Sequence, residues 1–171
     1  GAPGRRRTRS LEALTPGGVM SIELVHEFGF LAQLAPPVDV GAGPQGQRLC
    51  FEVTGGSVTG ERINGDVLAG GGDWILVGPD GYGRVDVRLQ LRTDDGAAIY
   101  VQYHGLLEIN AVVAQAMATG GGTTYEDQYF RTTPRLESGD ARYQWVNQTL
   151  FVGRGHVVEG GRVEYEVYRV V

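Results

Sequence analysis

The chain contains no lysine, because all 15 of its basic residues are arginine. This absence excludes chemistry that needs a lysine amine, such as Schiff-base formation or a P-loop that binds phosphate. Cysteine is nearly absent as well, and the single Cys50 excludes an internal disulfide and a cysteine-rich zinc site. The three histidines, His26, His104 and His156, lack the spacing of a zinc motif. We therefore expect neither a metal nor an organic cofactor.

Long apolar runs are also missing, and none approaches the roughly 18 residues that a membrane helix needs, so we expect no membrane partner. Residues 1–19 carry a net charge of +3, whereas residues 20–171 carry −8. An acidic body is a poor partner for nucleic acid.

The first 19 residues lack the apolar stretch of a signal peptide, and we interpret them as a flexible basic extension or a tag remnant, with a partner-binding arm as the alternative. Without a signal and with one cysteine, a cytoplasmic location is expected.

Glycine is abundant, at 28 of 171 residues, and from residue 21 onward apolar residues mostly recur with a period of two. This combination is typical of β-strands joined by tight turns. Residues 84–92 alternate cleanly between apolar and polar, and the turn at residues 93–96 predicts a hairpin with residues 97–105. A second hairpin is predicted around residues 159–162. Strands are also predicted for residues 141–158, continuing to the C-terminal segment.

One segment has helical periodicity instead. Ile109, Val112, Val113, Ala116 and Met117 form an apolar stripe, and a glycine follows as a stop signal. We predict one short helix near residues 107–118. The pattern as a whole predicts a mainly β protein with about 8–10 strands, arranged either as a sandwich or as a single antiparallel β-barrel, in one domain over residues 20–171.

Four motifs in a fixed order carry a resemblance to a known family. They are GGGDW at residues 70–74, LRTDDGAAIY at 91–100, YFRTTPRLE at 129–137 and YQWVNQTLFVGRG at 143–155. In this order they resemble the domain-of-unknown-function family 3237, also called uncharacterised protein family 0311. The resemblance covers residues 27–168 and implies a small calycin-like barrel with a pocket in its lumen. It implies no particular reaction.

Asp73 and Trp74 follow three glycines at the start of a predicted strand. An aspartate beside an apolar neighbour can have a raised pKa and act as a general base, with Trp74 contacting the ligand. Asp73 as a cap of the glycine turn is an equal alternative. Asp86 and Arg88 share one face of the strand at 84–92. They can grip a polar ligand if they point inward, or they can form a solvated outer face, which is the more usual place for strand charges.

Tyr129 and Arg131 share a strand face, where Arg131 can bind a carboxylate, enolate or carbonyl oxygen and Tyr129 can donate a proton. The alternative is an arginine that stacks on a tyrosine at the barrel rim. The candidate catalytic residues are therefore Asp73, Asp86, Tyr129 and Arg131. Further ligand contacts are predicted at Trp145 and Asn147, whose alternative is a core role, and on the hairpin partner strand at Tyr100 and His104.

Three functions remain open at this point. The first is a cofactor-independent isomerase, cyclase or lyase-like enzyme that acts on a small organic substrate in the lumen. The second is a carrier of a small ligand without catalysis. The third is a structural protein whose lumen is filled by apolar side chains. A homodimer is expected in each case, because two-fold pairs are the commonest oligomers.

Overall fold

The computed structural model of the protein describes residues 21–171, so the extension predicted for residues 1–19 lies outside the described residues. Eleven strands form a single antiparallel sheet. They are β1 Leu24–Leu34, β2 Val38–Gly43, β3 Gly46–Gly60, β4 Gly65–Val67, β5 Gly71–Val77, β6 Tyr82–Thr93, β7 Ala98–Glu108, β8 Phe130–Thr132, β9 Arg135–Glu137, β10 Phe151–Val158 and β11 Arg162–Val170.

The sheet closes on itself, because β6 pairs with both β5 and β7. The closed ring runs β1-β3-β5-β6-β7-β8-β10-β11 and returns to β1. The three remaining strands extend it, with β2 on β3, β4 on β3 and β6, and β9 on β7. The predicted antiparallel barrel is confirmed. Closure matters for function because alternate residues of each strand then face an enclosed interior.

Strand β6 shows why the sequence folds in this way. Val85, Val87, Leu89 and Leu91 are each at most 2% exposed, and the polar residues between them face outward. The turn that follows is the predicted one, with Gly96 at φ +92°, a conformation that glycine adopts without strain. Pairing then continues without interruption along β6 and β7.

Strand β1 contains an irregularity that alternation does not predict. The register with β11 shifts between His26 and Phe28, as in a β-bulge. As a result Glu27 and Phe28 are both buried, although they are adjacent. Leu24, which the pattern places on the same face as Phe28, is instead 54% exposed on the outside.

Helix α1 spans Ala111–Thr119 and confirms the predicted helix, although it begins later than residue 107. The reason is that β7 continues to Glu108 and the N–H of Ile109 still donates to Gly81 O at 2.9 Å. Asn110 then caps the helix by accepting the N–H of Val113 at 3.0 Å. Neither this helix nor the 3₁₀ helix within residues 21–171 has the length and apolar character to cross a membrane.

The strand predicted at residues 141–150 is wrong. A 3₁₀ helix occupies Ala141–Gln148, and strand pairing begins only at Phe151. Asp140 begins the helix by accepting the N–H of Arg142 at 2.9 Å. The side-chain amide of Asn147 bonds to both the N–H and the C=O of Ser138. These local side-chain bonds stabilise a backbone conformation other than a strand. A pattern of alternating hydrophobicity does not include such bonds and so does not predict them.

Candidate functional site

A cavity of about 400 Å³ lies inside the barrel. This volume is typical of sites that bind small molecules. Its walls are mostly apolar and aromatic side chains, including Phe51, Val53, Val85, Val87 and Phe130. Its mouth lies where the end of α1 meets Pro36 and Pro37 and the turn at Gly160 and Gly161. The apolar residues of β6 therefore line the lumen without filling it.

Asp73 is the acidic side chain of this cavity. It shares the inward face of β5 with Ile75, which is 3% exposed, whereas Trp74 between them points outward and is 40% exposed. The Oδ1 atom of Asp73 accepts the backbone N–H of Asp86 at 3.0 Å. A main-chain donor on the neighbouring strand thus fixes the orientation of the carboxyl group.

The electrostatic environment of Asp73 raises its pKa to about 7. Loss of hydration in the apolar lumen is the largest cause, because it disfavours the charged form. The N–H bond from Asp86 acts in the opposite direction, and the negative charge of the Asp86 carboxylate adds to the increase. At neutral pH both forms of Asp73 are consequently populated.

Two phenols lie in the same cavity. Tyr103 and Tyr165 are buried, and their rings meet edge to face with centroids 5.4 Å apart. Phe30 stacks on Tyr165 at 4.6 Å and holds that ring in place. Burial raises the pKa of both phenols, and the negative charge of Asp73 contributes to each shift. Both hydroxyls therefore stay protonated at physiological pH and can donate hydrogen bonds to a ligand.

This arrangement can move a proton within an apolar enclosure. A carboxyl group with a pKa of about 7 serves as a base when ionised and as an acid when protonated. Neutral phenols can stabilise negative charge that develops on a ligand oxygen. Among residues 21–171 there is no cluster of three or more His, Cys, Asp or Glu side chains that could hold a metal ion.

Most of the other predicted site residues lie on the outside of the barrel. Of the two orientations left open for Asp86 and Arg88, the structure has the outward one, with side chains 33% and 47% exposed. The apolar face of β6 occupies the lumen side, so its charged face meets solvent. The remaining outer residues are Trp74 on β5 and, on β7, the half-buried Tyr100 and the exposed His104.

Tyr129 and Arg131 are also on the outer surface and do not line the lumen. The inward positions of β8 belong to Phe130 and Thr132, which are both 2% exposed. The Arg131 guanidinium lies 5.1 Å from the centre of the Tyr129 ring. This is the stacked pair that the sequence offered as the alternative.

Trp145 and Asn147 are not lumen residues either, because their segment is the 3₁₀ helix. Trp145 packs against Phe151, and the guanidinium of Arg62 lies 3.6 Å from the centre of its ring. Asn147 is exposed and bonds to the backbone of Ser138. Both residues hold this helix against the barrel.

Tyr103 and Tyr165 are not among the site residues predicted from the sequence. Each belongs to an otherwise apolar face, between Val101 and Leu107 on β7 and between Val163 and Val167 on β11. A tyrosine at an inward position of a barrel strand is a signal that could have identified them, because its hydroxyl then needs a polar partner inside.

The chain is similar to proteins of one family along nearly all of its described residues. The family described as "Protein of unknown function (DUF3237)" matches residues 22–170. A relative described as a UPF0311 protein, from Rhodopseudomonas palustris strain TIE-1, is 31% identical over 151 residues, which cover 88% of this chain and 98% of that protein.

Solved structures are similar along the same span. A crystal structure of a β-barrel-like protein from Acinetobacter baumannii AYE has a TM-score of 0.76 and 32% identity, and covers 91% of this chain and 99% of that chain. A crystal structure described as an enzyme from Penicillium herquei has a TM-score of 0.67 over 90% of this chain and 98% of that chain. Its identity is 19%, so that likeness concerns the fold alone.

Proposed function

Because this chain belongs to the DUF3237 family, whose description assigns no function, we propose from its own lumen that it binds a small organic molecule and transfers a proton to or from it without a cofactor. Asp73 is the acid or base, and the reaction is an isomerisation, a cyclisation or a lyase-type step. The proposal depends on the carboxyl group of Asp73. This group faces an apolar cavity, and its pKa is raised to about 7.

Two features favour a reaction site over a purely structural aspartate. Raised pKa values of carboxyl groups in clefts are enriched at functional sites, because a catalytic group works best near the operating pH. In addition, the N–H of Asp86 holds the carboxyl group in one orientation, and Tyr103 and Tyr165 supply donors in the same cavity. A substrate oxygen bound to the phenols would place a neighbouring C–H or O–H group near Asp73.

The proposal can be tested without knowledge of the natural substrate. We would incubate the protein with two ketones, 2-tetralone and 2-indanone, in D₂O and follow exchange of the protons next to the carbonyl by NMR. In this step the Asp73 carboxylate takes a proton from carbon and an enolate forms. The proton on the Asp73 carboxyl group exchanges with D₂O, and Asp73 then returns a deuteron to the same carbon. The wild type is expected to exchange at least one ketone faster than buffer, with a rate that rises with pH through about 7 as Asp73 ionises.

Three variants identify the site of exchange. Asp73→Asn is expected to abolish the acceleration, and Val87→Phe is expected to abolish it by filling the lumen. Arg92→Gln changes an exposed outer residue of β6 and is expected to retain the wild-type rate. Equal rates in the wild type and Asp73→Asn would refute the catalytic proposal.

A non-catalytic carrier is the second candidate function, and the mostly apolar wall of the cavity favours it. Calorimetric titration with the same two ketones separates the candidates. Binding that Val87→Phe removes, without any exchange above buffer, would assign the lumen to a carrier. Binding together with exchange that depends on Asp73 would assign it to an enzyme.

A further inference from the structure

A second and larger concavity lies on the outer surface of the barrel, with a volume of about 920 Å³. We call it the outer groove. It lies over β7, β8 and β10, on the opposite side of the barrel wall from the lumen. Its apolar surface comes from Leu24, Leu106 and Val152, and charged residues include Arg84, Arg131 and Arg154.

The three arginines of the outer groove form one row across the sheet. Arg84 pairs with Leu106, Leu106 pairs with Arg131, and Arg131 pairs with Arg154 in the strand registers. Residues paired in this way share a face of the sheet, so three guanidinium groups stand on one outer face with a leucine between the first two. Like charges on directly opposed residues, as for Arg131 and Arg154, destabilise a sheet.

The flanking arginines are neutralised within the protein, and the central one is not. Arg84 forms an ion pair with Asp80 at 2.6 Å, and Arg154 forms one with Glu166 at 2.7 Å. For Arg131, no carboxylate of residues 21–171 lies within 4 Å. Its guanidinium donates to Phe130 O at 3.0 Å, which leaves most of its N–H groups free for a ligand.

We propose that the outer groove binds an amphipathic organic anion, with a carboxylate on Arg131 and an apolar body over Leu24, Leu106 and Val152. A guanidinium offers two parallel N–H donors that match a carboxylate. The exposed leucines and valine provide the apolar contact, and the groove volume lies within the range of small-molecule sites. This site is separate from the lumen, and the proposal does not depend on the proposed reaction.

The test compares two ligands that differ in charge and share a chain length. Octanoate and 1-octanol are titrated calorimetrically into the wild type, Arg131→Gln and Arg92→Gln. The wild type is expected to bind octanoate at least about tenfold tighter than 1-octanol, because only the carboxylate can accept two charge-assisted hydrogen bonds from the guanidinium of Arg131. Arg131→Gln is expected to reduce this ratio to about twofold or less, and Arg92→Gln, an exposed arginine of β6 outside the groove, to leave it unchanged.

Octanoate that binds in the lumen must be told apart from octanoate in the outer groove. Val87→Phe fills the lumen, so this variant is expected to keep the preference for octanoate over 1-octanol. Equal affinity for the two ligands in the wild type, or a preference that survives Arg131→Gln, would overturn the proposal. A second copy of the chain over the groove would overturn it too. Gel filtration would reveal this as a wild-type dimer that Leu106→Asp converts to a monomer.

Stability provides an independent measurement. Because Arg131 opposes Arg154 and has no carboxylate partner among the described residues, Arg131→Gln is expected to leave Tm unchanged or to raise it by about 1–3 °C. A lower Tm would contradict this expectation, because it would show that the contacts of Arg131 with the Tyr129 ring and Phe130 O outweigh its repulsion by Arg154.

Discussion

The backbone N–H of Asp86 donates to the carboxyl group of Asp73 at 3.0 Å, while the side chain of Asp86 lies on the other face of the sheet. One residue thus acts on Asp73 in two ways. Its main chain orients the carboxyl group from within the barrel wall, and its carboxylate raises the pKa of Asp73 from the outer face. This relationship connects an outer charge to the chemistry of the lumen.

We first expect Asp73→Asn to stabilise the protein above neutral pH. The pKa of Asp73 is about 7 in the folded state and near 3.8 in the unfolded chain, so the folded state binds more protons between these values and loses stability as pH rises. Asparagine removes this cost and can still accept the N–H of Asp86. The free energy of unfolding is expected to exceed that of the wild type by about 2–4 kcal/mol at pH 8 and by less than about 1 kcal/mol at pH 4.

Urea unfolding of both proteins at the two pH values checks this expectation. Asp66→Asn is the control, because Asp66 is exposed on β4. A gain that is the same at pH 4 and pH 8 would show that ionisation of Asp73 is not its cause.

The second prediction concerns the carboxylate of Asp86, which lies on the outer face of the sheet. Asp86→Asn keeps the backbone N–H but removes the negative charge that raises the pKa of Asp73. The pKa of Asp73, measured by NMR titration of its side-chain carboxyl carbon, is therefore expected to be lower than in the wild type. An unchanged pKa would mean that the two carboxylates do not interact through the sheet. Asp66→Asn again serves as the control and should not change this value.

The third prediction concerns Glu27, which the bulge in β1 buries with a side-chain exposure of 6%. Its carboxylate accepts hydrogen bonds from the guanidinium of Arg62 and forms an ion pair with that of Arg169 at 2.8 Å, and Arg62 in turn covers the ring of Trp145. Glu27→Gln leaves two cations without their counter-charge. The free energy of unfolding is expected to fall by about 2–3 kcal/mol, below the range for fully buried pairs because both arginines are partly exposed.

Denaturant unfolding measures this loss. Glu61→Gln, a change at an exposed acid in the loop after β3, should alter stability by less than about 0.5 kcal/mol. Similar losses of unfolding free energy in Glu27→Gln and Glu61→Gln would show that the ion pairs of Glu27 make no particular contribution to stability.

The fourth prediction concerns the N-terminus of α1, the helix whose far end borders the lumen mouth. Asn110 accepts the N–H of Val113 and donates to Asp127 O at 2.7 Å. Asn110→Ala is expected to cost about 1 kcal/mol and to speed amide hydrogen exchange in the first turn of α1. Asn110→Asp keeps the cap and should restore slow exchange of the Val113 amide. Equally fast exchange in both variants would attribute the effect to the lost bond with Asp127.

Hydrophobic alternation predicts some strands of this protein correctly and fails at one segment. The alternation at residues 84–92 predicted a strand whose polar and apolar residues lie on opposite faces, and the structure has this strand. The same period failed at residues 141–150, because capping by Asp140 and Asn147 favours a 3₁₀ helix there. Local side-chain bonds compete with strand pairing, and a pattern of hydrophobicity does not include them.

The sequence by itself determined the strands, the hairpin turns and the helix at residues 111–119, because period, turn residues and caps act over a few residues, and the four family motifs pointed to the barrel. It also singled out Asp73 as a candidate. Only the tertiary structure decided that Asp73 faces the lumen while Asp86, Arg88 and Arg131 face outward, and that Tyr103 and Tyr165 lie in the same cavity. Alternation tells which residues share a face, but closure of the sheet decides which face is enclosed and which distant strands meet across it.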